Sequence, residues 1–316
     1  MYDFAGKDIL STYQMTRREM ETIFAVADEL EPIARKRRNT DLLKEKTLAS
    51  LFYQSSTRTR LSFEGAMKRL GGSVIGFADP KSTRSGGGDS YEEPLKDSIG
   101  VISMYADAIA MRHPVSGAAE EAARHADIPV LNGGDGVNEH PTQALLDLYT
   151  IRHYLGGLDD LHIVMIGDMT VRTMHSFPMC LAKYDNVKVT CVHPDDADFQ
   201  PEMKEKFRDL NFHYERANSV MDVVETADVL FMNGIRHPSD MSNIGNRPNE
   251  TPREYIVDLK TLEKAKTRAI ILHPLPRRDE LPEEVDATIH ARHLEQAYYG
   301  LVIRMALLAL VFGKAN

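Results

Sequence analysis

Short apolar runs recur along the chain, each separated from the next by a stretch long enough for a helix. In the first half they are TLASLFY (47–53), SVIGFAD (73–79), AIAMRH (108–113) and IPVLNGG (128–134). In the second half they are HIVMIGD (162–168), VKVTCVHP (187–194), NFHYERA (211–217), DVLFMNG (228–234) and AIILHPL (269–275). Between the runs, apolar residues return at helical spacing: Phe63, Ala66, Met67 and Leu70 in one stretch, Ala144, Leu145, Leu148 and Ile151 in another. Strand and helix alternating in this way predict an α/β protein built from parallel βαβ units.

The glycine pair Gly156–Gly157 divides the runs into two sets, and a helix from about Pro141 to Tyr154 precedes it. The expected organisation is therefore two domains, 1–140 and 155–290, each a mostly parallel sheet flanked by helices. Interdomain helices at 141–154 and 291–316 join them, and the last, roughly His293 to Phe312, is expected to pack back on the first domain. Two stretches read as long loops, Lys81 to Glu93 and Gly234 to Pro252. Both follow predicted strands, the edge at which α/β sheets bind ligands.

Composition narrows the function classes. With 316 residues, 42% apolar and 27% charged, the chain can bury two cores and is neither disordered nor a disulfide-stapled miniature. Its 47 acidic against 38 basic residues give a formal charge of −9, with no basic stripe, so no nucleic-acid partner is expected. An acidic chain still accommodates a local cationic pocket for a small anion. The N-terminus lacks the pattern of a secretory signal and the run MALLALVF is shorter than a membrane span, so the expectation is a soluble, cytoplasmic protein without a membrane partner. Cys180 and Cys191 lack C-x-x-C spacing and are expected to be small buried hydrophobes. The chain has no H-E-x-x-H, no P-loop and no G-x-G-x-x-G after HIVMIGD, so neither a metal nor a cofactor is expected and a dinucleotide-binding role loses its fingerprint.

The sharpest chemical signal is the segment in which LASLFY runs into Ser55, Ser56, Thr57, Arg58, Thr59 and Arg60 before a helix begins. Hydroxyls, free backbone N–H groups and a guanidinium converge at a helix N-terminus, which is what a phosphate needs. The same residues also serve as an ordinary N-cap with surface arginines. Three further clusters sit at strand ends: Arg112-His113-Pro114, where the arginine alone is equally consistent with a surface ion pair; His140-Pro141-Thr142-Gln143, at a second helix start; and His273-Pro274-Leu275-Pro276-Arg277, which also makes a rigid turn.

Taken in this order and spacing, Ser56-Thr57-Arg58-Thr59-Arg60, Met111-Arg112-His113-Pro114, His140-Pro141-Thr142-Gln143 and His273-Pro274-Leu275-Pro276-Arg277 resemble the aspartate/ornithine carbamoyltransferase family. The resemblance runs from about Asp8 to Phe312 and is closer to the aspartate branch, because Pro274 stands where ornithine enzymes typically carry a cysteine. It implies a first domain that binds carbamoyl phosphate and a second that binds the acceptor. Ser56, Thr57, Arg58, Thr59 and Arg112 would hold the phosphate; Thr59, Arg112 and His140 would point donors at the carbamoyl oxygen. Gln143 and the Leu275 carbonyl would hold the carbamoyl NH₂, with a cis peptide at Leu275-Pro276. The family's sites lie between subunits, which implies a homotrimer at least.

The acceptor side departs from that pattern. Arg172 matches the position that holds an amino acid's α-carboxylate, but the glutamate that orients it in aspartate enzymes is Gln54 here. The loop expected to deliver a lysine reads Ser85-Gly86-Gly87-Gly88-Asp89-Ser90, and Lys96 lies too far along to replace it. Gly234 and Arg236 stand near the positions of the arginine and glutamine that grip a side-chain carboxylate. The acceptor set is thus Arg172, Arg236, Leu275 and Pro276, and the expected acceptor is a small carboxylate with an amino or ureido group other than plain aspartate. A ureidoglycine-type compound used in the phosphorolytic direction of nitrogen catabolism is one example. The alternatives are aspartate carbamoylation in pyrimidine synthesis and a non-catalytic relative that binds carbamoyl phosphate; retention of Arg58, Arg112 and His140 together argues against the last.

Overall fold

All nine apolar runs contain strands in the computed structural model, which describes residues 2–79, 83, 93–235 and 250–315. The strands are β1 (Thr47–Phe52), β2 (Ser73–Phe77), β3 (Ala108–His113), β4 (Val130–Asp135), β5 (His162–Ile166), β6 (Lys188–Val192), β7 (Glu215–Ala217), β8 (Val229–Met232) and β9 (Ile270–Leu272). They form two wholly parallel sheets, ordered β2-β1-β3-β4 and β7-β6-β5-β8-β9. Inner strands such as β1 and β8 are buried almost throughout, which explains why they read as continuous apolar runs. The edge strand β2 is largely exposed.

Helices fill the connections: α1 (Arg17–Arg35), α2 (Thr57–Arg69), α3 (Leu95–Ile102), α4 (Ala118–His125), α5 (Pro141–Leu155), α6 (Arg172–Leu181), α7 (Pro201–Asp209), α8 (Leu259–Leu262) and α9 (His293–Val311). The apolar face expected on α2 is real, since Phe63, Ala66 and Met67 are fully buried. Burial of a side chain such as Phe63 or Met67 contributes about 1.5–3 kcal/mol. The chain divides into two units, residues 1–146 with 298–316 and residues 147–297, so the divisions fall inside α5 and α9.

The run MALLALVF belongs to α9, which covers nearly the range expected for the last helix, His293 to Phe312. By length and composition alone this helix is apolar enough to cross a membrane, but 72% of the apolar window is buried inside the protein. From Val302 to Val311 no residue is more than 2% exposed.

In each sheet the chain starts at an inner strand and later strands are added on both sides, which creates a switch point where neighbouring connections diverge. In the first sheet it lies at the C-terminal ends of β1 and β3, in the second at those of β5 and β8. Ligands of open α/β sheets bind at such points.

Candidate active site

Strand β1 delivers the first group of residues. Phe52 pairs with Arg112 across the β1–β3 register, and the Tyr53 N–H donates to the Arg112 carbonyl at 2.9 Å. The chain therefore leaves β1 alongside Arg112. The Arg112 Nε donates to the Gln54 side-chain oxygen at 3.1 Å. Two residues on, Ser56 caps α2 in an extended conformation, and its hydroxyl accepts from the Thr59 N–H at 3.3 Å. No acidic residue occupies the first turn of α2, so nothing there cancels the positive end of its dipole. Arg58 keeps part of its side chain in solvent, yet desolvation pulls its guanidinium below the ordinary arginine value. An anion bound beside it would repay that cost.

Thr59 points into the protein. It is 4% exposed, and its hydroxyl meets the His140 Nε2 at 3.3 Å. His140 directly precedes α5; its carbonyl accepts from the Gln143 and Ala144 N–H groups, while Pro141 fills the first helical position, where no N–H is needed. Gly133 allows this packing. A Cβ there would lie 2.9 Å from the Met111 carbonyl oxygen and 3.2 Å from the Thr59 methyl. Ser56, Thr57, Arg58, Thr59, Arg112, His140 and Gln143 thus all belong to the first unit, on the loop and helix after β1, the end of β3, and the start of α5.

Sequence reasoning missed a buried support for this group. Arg304 of α9, 2% exposed, donates to the Thr142 hydroxyl at 2.9 Å and the Gly300 carbonyl at 3.1 Å, and its guanidinium lies 5.0 Å from the centre of the Phe63 ring. It connects the first turn of α5 to α2. The available signal was a single charge inside the apolar stretch LVIRMALLALV.

The remaining predicted residues lie in the second unit. Arg172 is the first residue of α6, after a loop held by buried Asp168, whose carboxylate accepts from the Thr170 N–H at 2.9 Å and hydroxyl at 2.6 Å. Gly167, at φ +118°, is required: a Cβ would lie 1.8 Å from the Asn233 carbonyl oxygen, where the loops after β5 and β8 meet.

Leu275 has φ 61° and is joined to Pro276 by a cis peptide, as the resemblance implied. Its N–H donates to the His273 Nδ1 at 2.8 Å, which leaves Nε2 as the ring donor to Glu280 at 2.9 Å. Burial raises the Glu280 carboxyl, but the His273 ring and the Arg278 N–H outweigh it and hold the group below its usual range. Arg277 of the same motif is committed to a two-pronged pair with Asp286.

Gly234, expected near an arginine position, faces a carboxylate: a Cβ there would lie 3.5 and 3.8 Å from the two Glu280 oxygens. Arg236 and Arg247 lie outside the described residues, as does almost all of 81–93. Arg253, just after the second long loop, is bound by both terminal nitrogens to Asp258 at 3.0 Å. Among the described residues, no group of three or more His, Cys, Asp or Glu side chains is arranged to hold a metal ion.

Hydroxyls, a helix N-terminus with no acidic residue in its first turn, two arginines and a buried histidine thus gather near one parallel sheet's switch point, and a second parallel-sheet unit follows, an α/β architecture. The chain belongs to the aspartate/ornithine carbamoyltransferase family, and it is a transferase. The family's carbamoyl-P binding domain matches residues 7–153 and its Asp/Orn binding domain residues 159–311. The aspartate carbamoyltransferase catalytic subunit of Thermococcus onnurineus is 39% identical over 315 residues, 98% of each chain. The chloroplastic aspartate carbamoyltransferase of Arabidopsis thaliana is 41% identical over 312 residues, 98% of this chain and 78% of that one. The aspartate transcarbamoylase of Trypanosoma cruzi, solved with carbamoyl aspartate and phosphate, superposes with a TM-score of 0.85 at 33% identity, covering 98% of this chain and 96% of that chain. These relatives favour aspartate, the alternative drawn from the sequence, over the expectation of a different acceptor.

Proposed function

We propose that the protein transfers the carbamoyl group of carbamoyl phosphate to the amine of aspartate. The observation that carries the reading is the approach of the Thr59 hydroxyl to the His140 ring at 3.3 Å beside the end of β3 that bears Arg112. Phosphate oxygens take the Ser56 and Thr57 hydroxyls, the first-turn N–H groups of α2, and Arg58. The amine lone pair attacks the carbamoyl carbon, negative charge grows on the carbamoyl oxygen, the bond to phosphate breaks with its electron pair leaving on phosphate, and the proton shed by the amine passes to that phosphate or to water. Thr59, Arg112 and His140 stabilise that charge; removing one such donor typically costs 10²–10³-fold in rate. Gln143 and the Leu275 carbonyl hold the carbamoyl NH₂, and Arg172 takes the acceptor's α-carboxylate. No side-chain nucleophile is needed, because the mixed anhydride is already activated and the enzyme supplies positioning and charge.

The named relatives and the Trypanosoma cruzi complex support aspartate. A second reading, a small monocarboxylate bearing an amino or ureido group, is favoured by Gly234 facing the Glu280 carboxylate where a cation would be needed for aspartate's second carboxylate. The deciding experiment incubates the purified protein with carbamoyl phosphate and a panel of acceptors, measuring phosphate release and the carbamoylated product. Stoichiometric carbamoyl-aspartate at micromolar aspartate supports the first reading. Turnover only with ureido or monocarboxylate amines moves the assignment to the second, and no turnover with any amine in either direction overturns both.

The active form is proposed to be a homotrimer with shared sites. Val101, Met104 and Tyr105 on and after α3, 44%, 81% and 66% exposed, form an apolar patch suited to another copy. Light scattering tests the mass. Recovery of activity on mixing an Arg112→Ala chain with a Ser85–Glu93 loop variant tests the sharing, and a monomeric active protein would rule the assembly out.

A further inference from the structure

We propose that Glu280 opens the acceptor unit to a second substrate class: an α-amino acid whose far end donates N–H bonds, such as a carboxamide or ureido group. The inference rests on the carbamoyl-transfer reading and concerns only which acceptors that chemistry serves. Glu280 is 2% exposed, and its two oxygens are used unequally. Oε1 accepts from the His273 Nε2 and the Arg278 N–H, both at 2.9 Å, whereas Oε2 is buried with no hydrogen-bond partner among the described residues. Because those two donors hold the carboxyl below its usual range, the group is ionised at neutral pH. A buried anionic oxygen without a donor costs free energy until one reaches it.

Gly234 faces this carboxylate. It does not have a positive φ, and a Cβ there would stand 3.5 Å from Oε1 and 3.8 Å from Oε2, ordinary contact distances, so neither strain nor crowding demands glycine. The position that would hold a side chain against the carboxylate simply holds none. The placement suits an acceptor. Gly234 follows β8 and His273 follows β9, while the loop after β8 meets the loop after β5 that leads to Arg172. His273 also accepts from the Leu275 N–H at 2.8 Å. An acceptor held by Arg172 and Leu275 therefore lies among these strand-end loops, with Glu280 as the buried anion beside them. A carboxylate brought to Oε2 would meet like charge, whereas an N–H donor would complete it.

The test uses the full-length protein and its Glu280→Gln variant with carbamoyl phosphate and L-aspartate, L-asparagine or 3-ureidoalanine, reading kcat/KM from phosphate release and from the carbamoylated product by mass spectrometry. Glutamine keeps one oxygen for His273 and Arg278 and turns the other edge from acceptor to donor. Wild type is expected to carbamoylate asparagine or 3-ureidoalanine. In Glu280→Gln their kcat/KM should fall at least tenfold, and further than that for aspartate. No fall, an equal fall for all three, or a wild type that carbamoylates other amines but neither of these two overturns the role of Glu280 alone. A wild type that carbamoylates no amine overturns the transfer reading on which the inference rests. Should Glu280→Gln unfold, Gly234→Arg gives the same readout: a guanidinium on Oε2 should shift preference at least tenfold toward aspartate, and an unchanged preference overturns the role of Glu280.

Discussion

Gly133→Ala tests the packing beneath the proposed oxyanion donors. The new Cβ would arrive 2.9 Å from the Met111 carbonyl oxygen and 3.2 Å from the Thr59 methyl. The first neighbour is backbone of β3 and cannot step aside, so the strain passes to Thr59. Its methyl and hydroxyl rotate together about one stiff bond, and the hydroxyl is the group that meets His140 at 3.3 Å. Overpacking of this kind costs about 1–3 kcal/mol, which lowers the thermal midpoint by about 2–4 °C per kcal/mol in a domain of this size. Misplacing Thr59 should cost activity more severely, about 10²-fold in kcat, because the donor is useful only where the charge develops. Gly100→Ala is the control: it lies in α3 with no described residue within 4 Å of the new methyl, and alanine in a helix is worth up to about 1 kcal/mol over glycine. Thermal unfolding and steady-state kinetics on both variants decide the matter. Wild-type kcat and midpoint in Gly133→Ala would refute the argument that Thr59 must stay in place.

Two further predictions follow from single side chains. Arg58→Ala removes a charge-assisted donor worth about 1.5–3 kcal/mol, so carbamoyl phosphate should bind at least tenfold more weakly by calorimetry while circular dichroism is unchanged; unaltered affinity would remove the α2 N-terminus from the site. Asp228, with a side chain 4% exposed, accepts from Lys266, Arg268 and the His162 N–H; burial raises its carboxyl, but these partners outweigh it and hold the group below its ordinary value. Its contribution is therefore present above the unfolded carboxyl's value of about 3.9 and is lost as pH falls through the lower folded value. Asp228→Ala should cost about 1–3 kcal/mol at pH 7, and the gap to wild type in urea midpoint should narrow in strong acid; a gap independent of pH would contradict this.

The strands were legible because each inner strand of a parallel sheet is covered on both sides and must be apolar throughout, a demand visible in one dimension. Helix α2 was legible for a similar reason, as its buried face repeats along the chain. Contacts made across the sheet were not. The resemblance paired position 54 with Arg172, whereas the order β2-β1-β3-β4 puts Arg112 beside Gln54. The need for glycine at 133 arises from Met111 and Thr59, each distant along the chain. Arg304 hid because a lone charge in an apolar helix does not announce the Thr142 hydroxyl it will meet.

Because residues 298–316 belong with 1–146, the second unit is an insertion into the first rather than a successor to it. On the ribosome, α2 and α5 are made early, yet Leu301 and Arg304, which pack against Gly65, Phe63 and Thr142, emerge only after the whole second unit. At about 5–20 residues per second, the roughly 150 intervening residues hold that surface uncovered for about 8–30 s. The half of the molecule synthesised first is thus the half completed last. A stop codon placed just after Ala297 would leave the first unit without most of its core helix, while the inserted unit would already be whole.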